Sequence, residues 1–419
     1  MTNLTVIGDD LTGTVDCTSL GVRCGCEVRV EADPEKDFLP PDPLKREILG
    51  INLSSRTLPG KSAYELSRRI TSKVKDGPGQ IILKKMDTGF RGNAAYEIEG
   101  MLTELGKQFC FILEHIPIRK TFTLYGYQYS GGQILNKSVF ARDDRLKAPT
   151  EAYIPSILAK GTDLPIGTVD IDAVKGGRLV EAVHAEIQNG KRILVFDAIT
   201  AADGIRTVKT LQPLYPDAMW AGSTGIVEAL ITYLYGDMES MPIYATSPQC
   251  ICFSGTAYNA TKEQLSYTEQ ASGLMVLDLD IDRVLDKDES IFEEICDRAL
   301  RENALGKDIL IRQKLSPERD FPGVEKIILQ SLSRVAGDVC PKARFDRIVV
   351  VGGETSQAIF HTLDICTLLM DDPPEIGTGI GKIGNGPYQG KSFAIKGGSI
   401  GSPAVMIKLL GKWNGISQK

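Results

Sequence analysis

The sequence predicts an α/β protein with two domains, each a mostly parallel sheet covered by helices. Short apolar, β-rich runs alternate with helical stretches through most of the 419 residues, a pattern typical of parallel α/β sheets. The apolar runs are nearly continuous, as expected of strands that are buried on both faces. At about 100–200 residues per domain, a chain of this length is expected to form two domains.

The first half of the chain alternates regularly up to residue 115 and again after residue 170. Strands are predicted at 4–8, 27–31, 48–53, 81–86, 109–114 and 193–197. Helices are predicted between them at 12–22, 62–75, 93–106 and 177–189. Residues 116–170 break the pattern because they are rich in Gly, Pro, Tyr and charge, and we expect them to form long loops over a site.

A second alternating series begins near residue 249. Its predicted strands are 250–253, 274–279, 309–313, 348–351 and 393–395, and its predicted helices are 259–271, 290–302, 324–339, 356–363 and 402–410. Between the two series, residues 235–248 contain turn-forming residues and two prolines, which indicates a linker. We therefore predict a domain boundary near residue 240, with domains at 1–240 and 241–419.

Composition excludes several classes of protein. A net charge of −6 argues against nucleic acid or an anionic membrane as a partner. We expect no signal peptide, and no run approaches the roughly 18 apolar residues of a membrane span. The nine cysteines show no disulfide or zinc spacing, and His115, His184 and His361 lie far apart, which disfavours a zinc hydrolase or a histidine-based triad. We expect a reduced, cytoplasmic protein.

Two glycine-containing motifs fit nucleotide-binding patterns only in part. Residues 379–384 read G-I-G-K-I-G, but D-D-P-P precedes them where a dinucleotide-binding fingerprint requires a buried strand. Residues 390–392 read G-K-S, but Asn385 occupies the position of the required P-loop glycine. We interpret the second motif as a surface turn.

Acidic side chains follow two predicted strands of the first half. Asp9 and Asp10 end the first strand, and Asp87 ends the strand at 81–86, four residues before Arg91. In open α/β sheets, ligands bind outside the carboxyl ends of the strands, and the rigid fork of arginine suits a carboxylate or phosphate. These residues predict a binding site. The alternative is a structural Asp–Arg pair in which Asn93 simply caps the next helix.

Three strand–turn–helix junctions of the second half combine glycine with a hydroxyl or lysine side chain. Glycine lets a phosphate approach the backbone, and the free N–H groups of a helix N-terminus attract it. A single turn of this kind is explained by chain geometry alone, whereas three in one domain predict one nucleotide-phosphate cradle. Its candidate residues are Gly255, Thr256, Gly352, Gly353, Glu354, Thr355, Lys396, Gly398 and Gly401.

Taken together, these motifs resemble the four-carbon acid sugar kinase family. Asp9–Gly13 match its D-D-L-T-G in full, and residues 85–93 match its K-x-D-S-x-x-R-G-N with Thr88 in place of serine. The family's D-A-x-x-x-x-D, G-S-x-G, G-G-E/D-T, P-E-x-x-x-G and K-x-G-x-x-G are matched at 197–203, 222–225, 352–355, 374–379 and 396–401. The segment after residue 114 and Gly89 depart from the family pattern, and both lie in the expected substrate half.

The resemblance implies a sugar-acid-binding domain joined to a nucleotide-binding domain, with the active site in the cleft between them. The implied reaction transfers the γ-phosphoryl group of ATP, with Mg²⁺, to a hydroxyl of a small sugar acid such as threonate, erythronate or 3-oxo-tetronate. Arg91 is expected to bind the substrate carboxylate, with Asp9 and Asn93 beside it. Asp10 or Asp87 is expected to accept the proton, and the sequence does not separate these two.

Two other functions stay open at this point. A non-catalytic sensor would bind a sugar acid or nucleotide without turnover, and an NAD(P)-linked oxidoreductase is suggested only by the motif at 379–384. The expected partners are a small sugar acid and ATP, without nucleic acid or membrane. A homodimer is compatible with the sequence, which does not give the oligomeric state.

Overall fold

A computed structural model describes residues 2–77, 80–143, 148–237, 249–256 and 258–412. The chain divides into two compact units, one of residues 1–28 and 37–239 and the other of residues 29–36 and 240–419. The predicted boundary near residue 240 lies outside the described residues. Nothing in the sequence pattern indicated that residues 29–36 group with the second unit.

The first unit is built on a parallel sheet. Its strands and the helices between them are β1 (Leu4–Gly8), α1 (Leu11–Thr18), β2 (Glu27–Glu31, the end of which belongs to the second unit), β3 (Glu47–Asn52), α2 (Gly60–Ser72), β4 (Ile81–Lys85), α3 (Ala94–Leu105), β5 (Cys110–Leu113), β6 (Phe122–Leu124), β7 (Tyr127–Ser130), β8 (Gln133–Ile134), α4 (Val139–Asp143), α5 (Ile154–Leu158), β9 (Ile166–Val169), α6 (Ile171–Lys175), α7 (Leu179–Gln188), β10 (Ile193–Phe196), α8 (Ala201–Leu211), β11 (Met219–Gly222) and α9 (Thr224–Tyr235).

The described parallel strands of this unit lie in the order β3-β1-β4-β11-β5-β10-β9. All of them run in the same direction, so their carboxyl ends form one edge of the sheet. The apolar strand residues are buried on both faces; Ile7, Ile51 and Ile112, for example, join one core cluster. This confirms the expectation drawn from the near-continuous apolar runs.

The predicted strands of the first half are confirmed to within one or two residues, whereas the loop prediction for residues 116–170 is wrong in part. That segment contains an antiparallel sheet in the order β6-β7-β8, together with α4, α5 and β9. These strands are two to four residues long, too short for a hydrophobic period to emerge from the sequence. The sequence also gave no strand assignment for β11, although β11 pairs with both β4 and β5.

The second unit is also α/β. Its elements are β12 (Cys250–Ser254), α10 (Asn259–Ser272), β13 (Met275–Asp280), α11 (Ile281–Leu285), α12 (Ser290–Ala304), β14 (Ile309–Lys314), α13 (Val324–Val339), β15 (Arg347–Val351), α14 (Gly353–Thr362), β16 (Thr367–Asp371), β17 (Thr378–Ile383), β18 (Ser392–Lys396) and α15 (Val405–Leu409).

In this unit β13, β14, β12, β15 and β18 are parallel neighbours, and β17 and β16 continue the sheet as antiparallel strands. The last residues of β2 pair with β16, which is why residues 29–36 belong here. The motif G-I-G-K-I-G lies within and just after β17. Its position in an antiparallel strand excludes the dinucleotide-binding fingerprint, which must link a strand to a helix.

Two helix starts in the second half differ from the prediction. Helix α14 begins at Gly353 rather than at residue 356, because Gly352 adopts a φ of 110° and serves as its N-cap. Helix α15 begins at Val405 rather than at residue 402. No helix among the described residues is long and apolar enough to cross a membrane.

A buried ion pair ties α3 to the centre of the first sheet. Lys84 on β4 and Glu97 on α3 are both completely buried, and their charged atoms lie 2.8 Å apart. Removing one partner of such a pair leaves a charge in an apolar environment, which costs about 3–5 kcal/mol.

We therefore expect Lys84→Met to lower the free energy of unfolding by about 3–5 kcal/mol in urea titrations. The matched control is Lys75→Met, since Lys75 pairs with Glu104 at 2.7 Å on the surface, and exposed pairs contribute little. Equal stability of the two variants would contradict a structural role for the buried pair.

Candidate functional site

The carboxyl edge of the first sheet carries a cluster of charged side chains from three neighbouring strands. Asp9 and Asp10 follow β1, Arg56 follows β3, and Lys85 and Asp87 lie at and after the end of β4. Because β1 lies between β3 and β4, these side chains meet at one place. The structure thus brings together the acidic residues of the two separate motifs.

Arg56 contacts all three carboxylates of this cluster. Its Nε lies 2.9 Å from Asp9 Oδ2, and its Nη2 lies 2.9 Å from Asp10 Oδ1 and 3.5 Å from Asp87 Oδ1. The sequence analysis did not select Arg56. The available signal was the polar run S-S-R-T directly after the buried strand β3, next to β1.

Lys85 is a second cation on Asp10 and contacts the same carboxylate oxygen as Arg56. Its Nζ lies 3.0 Å from Asp10 Oδ1 and 3.6 Å from Asp9 Oδ1. A Cβ on Gly13 would stand 1.9 Å from Nζ, so the glycine of D-D-L-T-G makes this approach sterically feasible. Asp10 also caps α1, because Oδ2 accepts hydrogen bonds from the Gly13 amide at 3.2 Å and the Thr12 hydroxyl at 2.9 Å.

The cations keep the buried acids ionised. Burial alone would raise the pKa of Asp10, but Arg56 and Lys85 outweigh it and hold that pKa well below its usual range. The pKa of Asp87 is also lowered, because Arg91 and Arg56 outweigh its burial. Burial opposes the charge on Lys85 in turn, yet Asp10 and Asp9 raise the pKa of its ammonium group above the ordinary value.

Asp87 and Arg91 form a two-pronged ion pair. Arg91 Nε lies 2.7 Å from Asp87 Oδ2, and Arg91 Nη2 lies 2.8 Å from Asp87 Oδ1. The Arg91 guanidinium also stacks over the ring of Phe140 at 4.4 Å from its centroid. The Asp–Arg pair weighed as the structural alternative is therefore present, and it holds Arg91 within the charged cluster.

Asn93 occupies the N-cap position of α3, but its side chain makes no capping hydrogen bond. Its amide nitrogen instead donates to the backbone carbonyls of Ser55, at 2.7 Å, and Leu58, at 2.9 Å. The structural alternative is thus wrong in one part, because the Asn93 side chain does not cap the helix. Both amide hydrogens fix the loop that carries Arg56.

Two other acidic positions matched to the family motif organise this unit. Asp197 accepts hydrogen bonds from the amides of Tyr125, Gly126 and Ile171, at 2.6 to 3.0 Å, and so anchors the β6–β7 turn. Asp203 forms a capping box with Thr200 at the start of α8. Both acids bind backbone amides.

The second unit brings parts of the three predicted turns together. A Cβ on Gly398 would stand 2.4 Å from Thr256 Oγ1, and one on Gly255 would stand 2.5 Å from Thr355 Oγ1. A Cβ on Gly352 would also lie near Thr355, at 2.9 Å from its Oγ1. Such close packing leaves no room for side chains where the turns meet, and it places glycine backbone beside two threonine hydroxyls.

Lys396 is the last residue of β18, directly before the turn at 397–401, and it is completely buried. Its Nζ donates to Thr261 Oγ1 at 3.1 Å and to the Gly397 carbonyl at 2.8 Å. Burial lowers the pKa of Lys396 to about 8, and Glu375 acts in the opposite direction. In this conformation Lys396 stabilises the glycine turn through its hydrogen bond to the Gly397 carbonyl.

The remaining predicted residues of the second unit lie in or next to the glycine turns. Glu354 is exposed in the first turn of α14 next to Gly353, and Gly401, at φ 103°, approaches Val405. Glu375, the acid of the motif matched at 374–379, accepts from the Ser402 amide at 2.7 Å and pairs with Lys408 at 2.7 Å. These contacts give Glu375 a structural role next to the glycine turn.

The chain matches two family profiles in sequence. The profile described as a sugar-binding N-terminal domain covers residues 4–230, more than half of the chain, and the profile described as a nucleotide-binding C-terminal domain covers residues 251–406. The charged cluster falls within the first match and the converging glycine turns within the second.

Several curated relatives align over most of their length. A D-threonate kinase from Salmonella typhimurium is 25% identical over 85% of this chain and 86% of the relative. A D-erythronate kinase from Heliobacterium modesticaldum is 24% identical over 96% of this chain and 95% of the relative. A 3-oxo-tetronate kinase from Cupriavidus necator is 26% identical over 95% of this chain and 94% of the relative.

Solved structures show the same fold. A Salmonella typhimurium LT2 protein matches with a TM-score of 0.81 at 19% identity, covering 97% of this chain and 98% of its own. A Haemophilus influenzae protein matches with a TM-score of 0.73 at 18% identity, covering 97% and 99%. On the two profile matches and the relatives that span it, this chain belongs to the four-carbon acid sugar kinase family.

Proposed function

We propose that this protein is an ATP-dependent kinase that phosphorylates a hydroxyl group of a four-carbon sugar acid, with threonate, erythronate and 3-oxo-tetronate as the candidate acceptors. The observation that carries the proposal is the cluster at the sheet edge, where Arg56 contacts Asp9, Asp10 and Asp87. The names of the curated relatives support the same class of reaction.

Asp10 is our candidate for the group that accepts the proton. In the reaction, the acceptor oxygen forms a bond to the γ-phosphorus, the bond from that phosphorus to the β–γ bridging oxygen breaks, and ADP leaves. The hydroxyl proton passes to a carboxylate. Asp10 is 19% exposed, whereas the Asp87 side chain is 8% exposed and held by both prongs of Arg91. Asp10 is therefore the more exposed of the two acids, and its lowered pKa keeps it ionised at neutral pH.

The cations of the cluster suit an anionic substrate. We assign the substrate carboxylate to Arg91, whose guanidinium plane is fixed by Asp87 on one side and by the ring of Phe140. Arg56 and Lys85 offset the negative charge that the substrate brings. Asp9 is 2% exposed and bound to Arg56, so we assign it the task of positioning that arginine.

The glycine turns of the second unit fit the phosphates of ATP. The backbone at Gly255, Gly352 and Gly398 carries no side chains that would keep a phosphate away, and the threonine hydroxyls at 256 and 355 lie between the turns.

Mg²⁺ would enter with the nucleotide and neutralise phosphate charge. Among the described residues, no three acidic, histidine or cysteine side chains are arranged to hold a metal ion alone. The carboxylate that we place nearest to it is Glu354, in the first turn of α14.

The proposed reaction predicts ADP formation that depends on a four-carbon sugar acid. The test mixes the protein with Mg-ATP and a panel of threonate, erythronate and 3-oxo-tetronate stereoisomers, and measures ADP in a coupled assay. Ligand-induced shifts in melting temperature without ADP from any acid would favour the sensor instead. Absence of a fluorescence change on titration with NADH would exclude the alternative function as an NAD(P)-linked oxidoreductase.

Asp10→Asn is expected to lower kcat by about 10²–10⁴-fold, the usual contribution of a positioned base, while the affinity for ATP stays unchanged. Asp87→Asn is expected to raise KM for the acid more than it lowers kcat, because Arg91 loses its partner. Steady-state kinetics and ATP titration calorimetry measure these quantities. Full turnover by Asp10→Asn would remove Asp10 from the role of base.

Gly398→Ala is expected to weaken ATP binding by about tenfold or more, since the new Cβ would meet Thr256 Oγ1 at 2.4 Å and the ring of Tyr258 at 2.8 Å. Affinity for the sugar acid should not change. Gly337→Ala in α13 is the control, because its Cβ would meet only a methyl group of Thr362, at 3.3 Å. Equal ATP affinity in both variants would contradict a nucleotide cradle at Gly398.

A further inference from the structure

Glu114 is a buried carboxyl group to which the reaction above gives no task. It follows β5 at the carboxyl edge of the first sheet, and its side chain is completely buried. Its backbone carbonyl accepts from Thr123 Oγ1 at 2.9 Å, and the Thr123 hydroxyl also contacts Gln128 Oε1 at 2.9 Å. Gln128 Nε2 in turn donates to the Thr88 carbonyl at 3.4 Å. This chain of contacts links Glu114 to the loop that begins at Asp87.

Neither carboxyl oxygen of Glu114 accepts a hydrogen bond of ordinary geometry among the described residues, although the Ser223 hydroxyl lies near enough to favour the ionised form. Asp197 provides a direct contrast, because it follows β10 at the same sheet edge and accepts three backbone N–H groups. A buried polar group without a partner is costly, and an ionised one is costlier still. The local structure therefore favours the un-ionised form of Glu114.

The charged groups that face Glu114 belong to the sugar-acid site. Burial raises the pKa of Glu114 to about 8, and Asp87 and Asp9 push it in the same direction, while the Ser223 hydroxyl and the Lys85 ammonium act against them. At neutral pH Glu114 is thus a neutral acid beside a cluster in which three carboxylates and three cations already balance. Ionisation would add one negative charge next to Asp87 and Asp9.

We propose that Glu114 is a specificity-determining residue for the anionic sugar acid, because its uncharged carboxyl group adds no further negative charge to the cluster that the substrate's carboxylate must approach. The proposal rests on the function proposed above and deepens it. Once Glu114 is ionised, its charge repels the substrate carboxylate and competes with it for Lys85, the cation that acts on Glu114. An uncharged four-carbon alditol, which lacks the carboxylate, should not sense this change.

The test measures sugar-acid affinity by calorimetry, without nucleotide, from about pH 6.5 to about pH 9.5, using an acid that the wild-type protein binds. Omitting ATP removes the contribution of Lys396, whose pKa also lies at about 8. Wild-type affinity is expected to fall about tenfold between about pH 7 and about pH 9, the fall that a single group of this pKa imposes when only its protonated form permits binding. Glu114→Gln, which is neutral at every pH, should show a flat profile with wild-type affinity at neutral pH.

The matched control is Glu228→Gln on α9, since burial also raises the pKa of Glu228, but the charge that acts on it is that of Arg23 and not that of the cluster. This variant should keep the wild-type loss of affinity at alkaline pH. Glu114→Met offers a second neutral side chain of similar length if the glutamine variant folds poorly.

Thermal unfolding supplies a readout that is independent of binding. The pKa of Glu114 in the folded protein is raised from its ordinary value of about 4.5 to about 8 by burial, so the wild-type protein should lose stability relative to Glu114→Gln as pH rises from about 4.5 to about 8. A difference in melting temperature that is constant over this range would overturn the inference.

The outcomes separate this inference from the proposed function. A wild-type pH profile unchanged in Glu114→Gln overturns the role of Glu114, even if the kinase assay succeeds. Binding with the expected profile but without ADP formation supports Glu114 and rejects the kinase. If no acid of the panel binds at any pH, both proposals fail.

Discussion

The charged cluster of the first unit depends on Arg56. One guanidinium contacts the carboxylates of Asp9, Asp10 and Asp87, which two separate strands deliver to the same sheet edge. Three carboxylates this close would otherwise repel one another and take up protons. Arg56 and Lys85 lower the pKa of Asp10, and Arg91 and Arg56 lower the pKa of Asp87, so these two acids stay ionised in a largely buried setting. The sheet edge can therefore present a charged surface to a small polar ligand.

The residues around this cluster serve to hold Arg56, Lys85 and Arg91 in place. Asn93 gives both amide hydrogens to the loop that carries Arg56, and Gly13 leaves the space through which Lys85 reaches Asp10. Asp87 and Phe140 together set the plane of Arg91. Several motif residues thus contact a neighbouring cation or the loop that carries one. Such support narrows the positions that charged side chains can adopt before a substrate arrives.

The second unit brings backbone groups, rather than charged side chains, to one point. Its glycines at 255, 352 and 398 lie against threonine hydroxyls at distances that exclude a Cβ. Lys396 is buried beneath them and donates to Thr261 and to the Gly397 carbonyl. The close packing of these turns explains why glycine and threonine, and not larger polar residues, recur at the strand ends.

The sequence by itself determined the alternation of strands and helices, the two-domain α/β class and the chemical types at the strand ends, because apolar periodicity and turn residues are local properties. It located Asp9, Asp10, Asp87 and Arg91, but it left their pairing open. Tertiary structure decided that Arg56 joins them, since only the β3-β1-β4 order brings residue 56 beside residues 9 and 87. It also decided that Asn93 holds a loop and that Glu114 is completely buried beside Asp87 and Asp9, and it formed the short strands β6–β8. Each of these outcomes depends on contacts between residues distant in sequence, which no local pattern records.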